Sequence, residues 1–342
     1  MKKILVAIIA FAFVLAAANV QRFETQQAGG TRWFRGNTHT HTTESDGDSP
    51  PELVARWYKE HQYQFLVLSD HNVFTDPRRL ASLVDSTFLL IAGEEVSASF
   101  QQKPVHVNGL NIPGLIEARS DSTLVGTIQK NVDAIREVRG VPHINHPNFR
   151  WAFGAAELLR IRNDRLLEIH NGHPLVHNEG GGGAPSMEAI WDELLTAGKR
   201  VYGIAVDDAH HFMGEFSADR ANPGRGWVAV RANQLDAAEI MMALEEGRFY
   251  ASTGVELEDI VTSPSRIQIR IKPRGDFRYT TTFIGDNGVA LGQEYGLTPS
   301  FDLAASPGRL TYVRARVTDS GGFHAWVQPV FTQGFRPADT QR

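Results

Sequence analysis

The sequence predicts an α/β fold built from strand–helix units and closed by a β-rich tail. Three observations carry that expectation. Between Trp33 and about Ala251, short apolar β-branched runs alternate with amphipathic stretches. From Ser252 onward the texture changes to short alternating runs separated by Pro, Gly, Asn and Asp. Residues that bind metals recur just after the apolar runs, and a βα barrel gathers those positions on one face. The 342 residues suffice for one large unit and one small one, and 42% hydrophobic with 21% charged residues excludes global disorder and fibrous structure.

The elements follow in order. Met1-Lys2-Lys3 precedes an apolar run, Ile4 to Ala17, and Ala16 and Ala18 stand as an A-x-A cleavage site. Residues 1–18 therefore read as a cleaved export signal, too short for a spanning helix of ~20 residues. That implies a periplasmic or secreted product with no stable membrane anchor after cleavage. Residues 19–31 are polar and Gly-tipped, as in a flexible tether. Strands are expected at Phe65–Leu68, Leu89–Ala92, Val141–Ile144, Leu166–Ile169 and Val201–Val206, with helices at Pro51–His61, Leu124–Arg139, Met187–Ala197 and Ala237–Glu246. Ser186 and Asp236 fit as helix N-caps, and Gly198 and Gly247 as stops. Gly180–Gly183 lies in a long loop before the helix at Met187 and serves as a spacer or a lid. The main unit thus covers 32–251. A β-rich unit at 252–342 has strands at Ile267–Ile271, Tyr279–Ile284, Ser300–Leu303, Tyr312–Val317 and Ala325–Phe331.

Composition narrows the chemistry. A net charge of −5 provides no basic field for a phosphate backbone, so nucleic acid is not an expected partner. With no cysteine, disulfides, thiolate zinc sites and Cys nucleophiles are excluded. Any metal must be held by nitrogen and oxygen. Twelve of the 13 histidines fall between His39 and His211. His39-Thr40-His41 on an extended segment puts both imidazoles on one side. His71, Glu94 and Glu95, His146, His170, and then Asp207, Asp208 and His210 follow successive apolar runs. An isolated H-x-H or Asp in a turn is weak evidence, but five strand ends with ligand-type residues read as one metal site.

These residues resemble a known family. His39-x-His41-x(4)-Asp46-Gly47, Ser69-Asp70-His71-Asn72, Gly93-Glu94-Glu95-Val96-Ser97, His146-Pro147 and Asp208-Ala209-His210 look like the ordered motifs of the polymerase and histidinol phosphatase (PHP) superfamily of metallohydrolases. The match covers about 32–215. The text around Trp33–Thr42, the segment Gly247–Gly254 and the β-rich tail further resemble its carbaryl-hydrolase-like branch. The superfamily resemblance implies a distorted seven-stranded (βα) barrel with two or three divalent ions. It implies His39, His41, Glu95 and Asp208 around one ion, Glu95 bridging to a second held by His146 and His170, and Asp46, His71 and His210 around a third. His173 or His106 competes with His170 for its place. The pattern Gly-x-Glu-aliphatic-Ser selects Glu95 over Glu94, and Asp-x-His selects Asp208 over Asp207.

A donor set of imidazoles and carboxylates suits Zn, Mn or Fe. Two ions sharing Glu95 would hold a bridging hydroxide as nucleophile. Glu95 and Asp208 are thus placed at the reaction, with His106, His173 and His211 as candidates for leaving-group protonation. Asp70 and Asp207 are expected to orient ligands, and Arg150 to meet an anionic substrate. The expected function is hydrolysis of phosphoester bonds in a small molecule. Alternatives are a carbamate, ester or amide hydrolase and a non-catalytic exported metal- or carbohydrate-binding protein. Oligomeric state is not read from the sequence.

Overall fold

The structure, a computed structural model, describes residues 30–305 and 310–338. The expected export signal and all but the last two residues of the expected tether lie outside the described residues.

The first half runs β1 (Arg32–Asn37), α1 (Pro51–Glu60), β2 (Phe65–Val67), β3 (Leu89–Ile91), β4 (Gly93–Phe100), β5 (Lys103–Leu110), α2 (Leu124–Glu137) and β6 (Val141–Ile144). It continues through the one-turn α3 (Ala155–Leu158), β7 (Leu166–Asn171), α4 (Met187–Thr196), β8 (Tyr202–Val206), β9 (Trp227–Ala232), α5 (Ala237–Glu245) and β10 (Phe249–Ser252). The remainder is β-structure: β11 (Leu257–Ser263), β12 (Arg266–Ile271), β13 (Tyr279–Gly285), β14 (Val289–Tyr295), β15 (Ser300–Asp302), β16 (Tyr312–Asp319) and β17 (His324–Phe331).

Local chemistry explains the helix limits. Thr123, Ser186 and Asp236 cap α2, α4 and α5 by accepting from backbone N–H groups of the first turn, and Pro51 opens α1 with its φ already helical. Gly247 ends α5 at φ +73, where a Cβ would also strike the Tyr202 ring. Helix α2 buries Ile128, Val132 and Ile135 at helical spacing, the stripe that packs it under β4–β6.

The expected (βα)7 barrel is not what the hydrogen bonding draws. Among the described residues the strands form a nine-stranded sheet, β14-β13-β16-β17-β10-β9-β1-β2-β3, a five-stranded sheet, β4-β5-β6-β7-β8, and a three-stranded sheet, β11-β12-β15. Two features interrupt a parallel ladder. β4 and β5 form an antiparallel hairpin rather than a βα unit, and β9 runs antiparallel to β1. A parallel bridge from His71 to Glu95 joins the two large sheets where they meet at the site. Strand β10, at the expected boundary between the two units, pairs with β9 on one edge and β17 on the other, so the large sheet runs straight across it.

Alternating faces build the cores. Val67, Val206, Val228 and Val230 meet α5 through Ile240 and Leu244. Ile267, Ile269 and Ile271 of the three-stranded sheet pack on Phe283, Val313, Ala315 and Val317 of the large one. An ion-pair network centred on Arg314 ties α4 to this β-layer. The buried Arg314 guanidinium donates to both Asp192 oxygens, at 2.7 and 2.6 Å, and meets Glu188 at 2.7 Å, while the Tyr312 hydroxyl donates to Asp192 at 2.7 Å.

Removing Asp192 leaves the buried Arg314 guanidinium with Glu188 as its remaining carboxylate and the buried Tyr312 hydroxyl without its acceptor. Asp192→Ala is therefore expected to cost about 3–5 kcal/mol in urea unfolding, and Asp192→Leu with Arg314→Met to recover most of that loss.

Candidate metal centre

The site forms beyond the C-terminal ends of β1, β2, β6 and β8, at the end of β7 and at the start of β4. Beyond β1 the chain stays extended, and Thr40 bridges to Ala209, so His39 and His41 project to the same side. His39 Nε2 lies 3.1 Å from His41 Nε2, 3.4 Å from Glu95 Oε2 and 3.3 Å from Asp208 Oδ1. His41 Nε2 lies 3.4 Å from the same Glu95 oxygen and 3.1 Å from the same Asp208 oxygen. Four donors on a tetrahedral ion at ~2.05 Å stand ~3.3–3.4 Å apart. The distances from the two imidazoles to the carboxylate oxygens, 3.1–3.4 Å, are near that spacing, and His39, His41 and Asp208 form one mutually close donor group, with Glu95 on its other side shared with His71 and His106. Glu95 Oε2 and Asp208 Oδ1 are buried and faced by imidazoles, the former by His71 Nδ1 at 2.8 Å and the latter by His41 Nε2 at 3.1 Å, a setting suited to a ligated cation.

Two further groupings flank this one. Glu95 Oε1 lies 2.9 Å from His106 Nδ1 and 3.4 Å from His146 Nε2, and Glu95 Oε2 lies 2.8 Å from His71 Nδ1. On the outer side Asp46 Oδ1 lies 3.2 Å from His210 Nε2 and 3.6 Å from His41 Nδ1, with His71 Nε2 3.7 Å from Asp46 Oδ2. Asp46 is 55% exposed, so this grouping is the one open to solvent.

The structure brings together His39, His41, Asp46, His71, Glu95, His146, Asp208 and His210, and adds His106 beside Glu95. His170 is the exception. A β-bulge in β7 between Glu168 and His170 breaks the two-residue alternation and turns His170 out of the cluster. Its ring stacks 5.8 Å from Trp326 of the C-terminal sheet instead, and His106 takes up the contact with Glu95. His173 stands at the edge, 5.2 Å from the His210 ring, and its Nδ1 accepts from the Leu175 N–H, which leaves Nε2 as the protonated nitrogen of the neutral ring. Arg150 lies exposed at the rim with its guanidinium 5.5 Å over the Phe149 ring, and His211 is tied to Ala221 on the next loop.

The choices between neighbours have physical causes. Glu94 points to the opposite face of β4, accepts from the Ile116 N–H at 2.8 Å and is pushed up to about 7 by burial. Asp207 is used structurally, accepting from the Tyr58 hydroxyl at 2.7 Å and the Arg225 and Gly226 N–H groups. Asp208 follows in the left-handed region at φ 49, which aims its carboxylate into the site. Asp70 accepts from Thr42 and Ser45 and so fixes the loop that carries Asp46 rather than an imidazole ring.

Four residues that sequence reasoning passed over support the ligands. Glu168 Oε1 lies 2.7 Å from His39 Nδ1, which sets the tautomer that leaves Nε2 for a metal. Its other oxygen accepts from the His146 N–H and Asn171 Nδ2, both at 2.9 Å. Asn171 also donates to Asp208 Oδ2, and Asn145, itself braced by Asn108, donates to Glu95 Oε1 at 2.7 Å. A carboxylate two residues before His170 in an apolar strand was the available signal for Glu168. The asparagines carried none.

Protons occupy the cluster when metal does not. Burial raises Glu95, but His106, His71 and His39 outweigh it and hold the carboxyl well below its usual range. Asp208 is likewise held low by His39 and His41 against its burial. Burial lowers His39 and His71, yet the carboxylates Asp208 and Glu95 dominate, so His39 is raised well above its ordinary value and His71 to about 9. His41, buried beside His210, falls to about 3 and is neutral.

No protein-family model matches the chain. Over 201 residues it is 27% identical to the 5′-3′ exoribonuclease Rnm of Salmonella typhimurium, and over 203 residues 28% identical to that of Escherichia coli; each alignment covers 55% of this chain and 64% of the relative. The chain thus spans less than two thirds of the curated relatives it matches. A two-domain protein from Bacteroides vulgatus, containing a predicted PHP-like metal-dependent phosphoesterase, shares the fold with a TM-score of 0.52 at 13% identity, over 88% of this chain and 96% of that one.

Glu168→Ala is expected to weaken binding of the first metal equivalent by about 10–100-fold in a chelator competition, because His39 loses its orienting partner. Metal must displace the protons on His39 and His71. Affinity is therefore expected to rise from pH 7 through about 9, by at most about tenfold per unit per proton, and to level off only when both His71 and His39 are deprotonated. Calorimetry in buffers of different ionisation enthalpy checks this by counting the protons released.

Proposed function

We propose that the protein is a metal-dependent hydrolase of phosphoester bonds, acting in the periplasm or outside the cell if Met1–Ala18 is an export signal. The observation that carries the reading is the convergence of His39 and His41 on the buried carboxylates of Glu95 and Asp208 at 3.1–3.4 Å. The shared fold with a PHP-like phosphoesterase-containing protein and the similarity to Rnm support the choice of phosphorus over other centres.

His39, His41, Glu95 and Asp208 would hold one divalent ion, Glu95 with His106 and His146 a second, and Asp46, His71 and His210 a third. Ions bound there would supply Lewis-acid polarisation of the phosphoryl group and activation of water. The protein's own residues do the rest. Glu168, Asn145 and Asn171 keep the donors aimed while substrate exchanges. Phe149, 5.2 Å from His146 and 6.3 Å from His173, shields one wall from water. His173 is neutral at pH 7, since burial lowers it, and presents an Nε2 proton at the edge where a leaving group departs.

Turnover of p-nitrophenyl phosphate, bis-p-nitrophenyl phosphate, a 5′-phosphorylated RNA oligonucleotide and an aryl carbamate by metal-loaded protein tests the reading. Phosphoester hydrolysis that Glu95→Ala lowers by about a thousandfold or more is expected. The RNA is included because the exoribonuclease relatives act on it, although a net charge of −5 argues against a nucleic-acid surface. Carbamate hydrolysis is the second reading. It is favoured by the Gly247–Gly254 resemblance and by the bonds around the donors, none of which, among the described residues, comes from Arg or Lys. Activity on the carbamate alone would select it, and activity on no substrate would overturn the hydrolase. His173→Gln is expected to slow an alkyl phosphate by about 10²-fold, and p-nitrophenyl phosphate far less, because nitrophenolate leaves without a proton.

A further inference from the structure

A cavity of about 470 Å³ lies between the β7–α4 loop and the turn that joins β16 to β17. It adjoins the metal centre through two shared residues. Asn171, whose amide bonds Asp208, and His173, whose ring is 5.2 Å from that of His210, both line it. The far wall belongs to the C-terminal sheet, through Phe323, His324 and Trp326, and to the displaced His170. A substrate with its reacting group at the metal donors has this cavity as its neighbouring space.

The walls are polar but their charges are internally matched. Glu188 is paired with Arg314 at 2.7 Å and Arg316 at 2.9 Å. The Arg225 guanidinium is spent on the carbonyls of Gly172 and Ser217. Burial and the nearby His324 push His170 down to about 4, and burial with Arg316 lowers His324, so both rings are neutral at pH 7. A phosphate or carboxylate placed here would find no free cation, and the Glu179 carboxylate at the exposed edge would repel it. Trp326 is covered by His170 and His324, while the Phe323 ring, which packs on Gly254 and carries the Arg274 guanidinium 5.5 Å from its centroid, keeps 40% of the residue exposed. The cavity thus offers a part-exposed aromatic ring among uncharged polar groups: the neutral imidazoles of His170 and His324, and the Asn178, Ser186 and Thr253 side chains, which keep lone pairs beyond the backbone bonds they already make. An aliphatic ring with hydroxyls on its rim and C–H bonds on its face complements that arrangement.

We propose that this cavity is a sugar-binding subsite of the metal centre, which makes the preferred substrate a sugar phosphoester whose ring rests on Phe323. The link to turnover depends on the phosphoester reading; the binding of the sugar ring does not. Two measurements keep them apart. In saturation-transfer NMR with a panel of methyl hexopyranosides, transfer to ring protons is expected from wild type and is expected to be lost in Phe323→Ala. In kinetics, hexose 1-phosphates are expected to have a KM roughly five- to tenfold below that of ethyl phosphate, and Phe323→Ala is expected to erase that ratio with ethyl phosphate turnover unchanged. Transfer without turnover of any phosphoester would support the subsite and overturn the phosphoester reading. Absence of transfer from the whole panel, or a KM ratio that survives Phe323→Ala, would overturn the subsite.

Discussion

The fold is arranged around two buried carboxylate oxygens that are faced by imidazoles. Glu95 Oε2 and Asp208 Oδ1 sit in the interior and face the Nε2 atoms of His39 and His41. Burying ionised carboxylates costs several kcal/mol each unless a cation compensates. Protonated His39 and His71 compensate in the metal-free chain, and a divalent ion does so more completely. The same crowding of buried carboxylates that is costly without a compensating charge would favour a divalent ion.

That constraint explains details which local propensity does not. Asp208 adopts a left-handed backbone, and β7 gives up its alternation at a bulge. The bulge lets Glu168 and Asn171 face the same side, where one anchors His39 and the other bridges the Glu168 and Asp208 carboxylates. It also sends His170 across to Trp326, tying the ligand-bearing strand to the C-terminal sheet. The C-terminal strands are thereby part of the site's surroundings, as the continuity of the large sheet through β10 already requires.

Much of this was legible in the sequence because metal ligands are chemically conspicuous. Eight of the nine expected ligand candidates converge, His71, Glu95, His146, Asp208 and His210 because they follow apolar runs that the fold gathers to one place, and His39, His41 and Asp46 on the segment after β1. Helix limits were legible through Ser186, Asp236 and Gly247, whose capping chemistry is local. What failed was what periodicity cannot carry. A single inserted residue in β7 reversed the side of His170. The β4–β5 hairpin escaped notice because its turn uses Gln101 and Gln102 at φ 48 and 67, where Asn-Gly is the usual signal. Barrel closure depends on ladders between distant strands, and β9 and the hairpin run against the parallel scheme.

The central claim is that His39, His41, Glu95 and Asp208 enclose a divalent cation. Crystals of the full chain soaked with Zn or Mn, measured at the absorption edge of each metal, test it directly. The account requires an anomalous peak among those four side chains, with any additional peaks beside Glu95 and His106 or Asp46 and His210. Full soaking with no peak among the four donors, or metal bound elsewhere only, would contradict it.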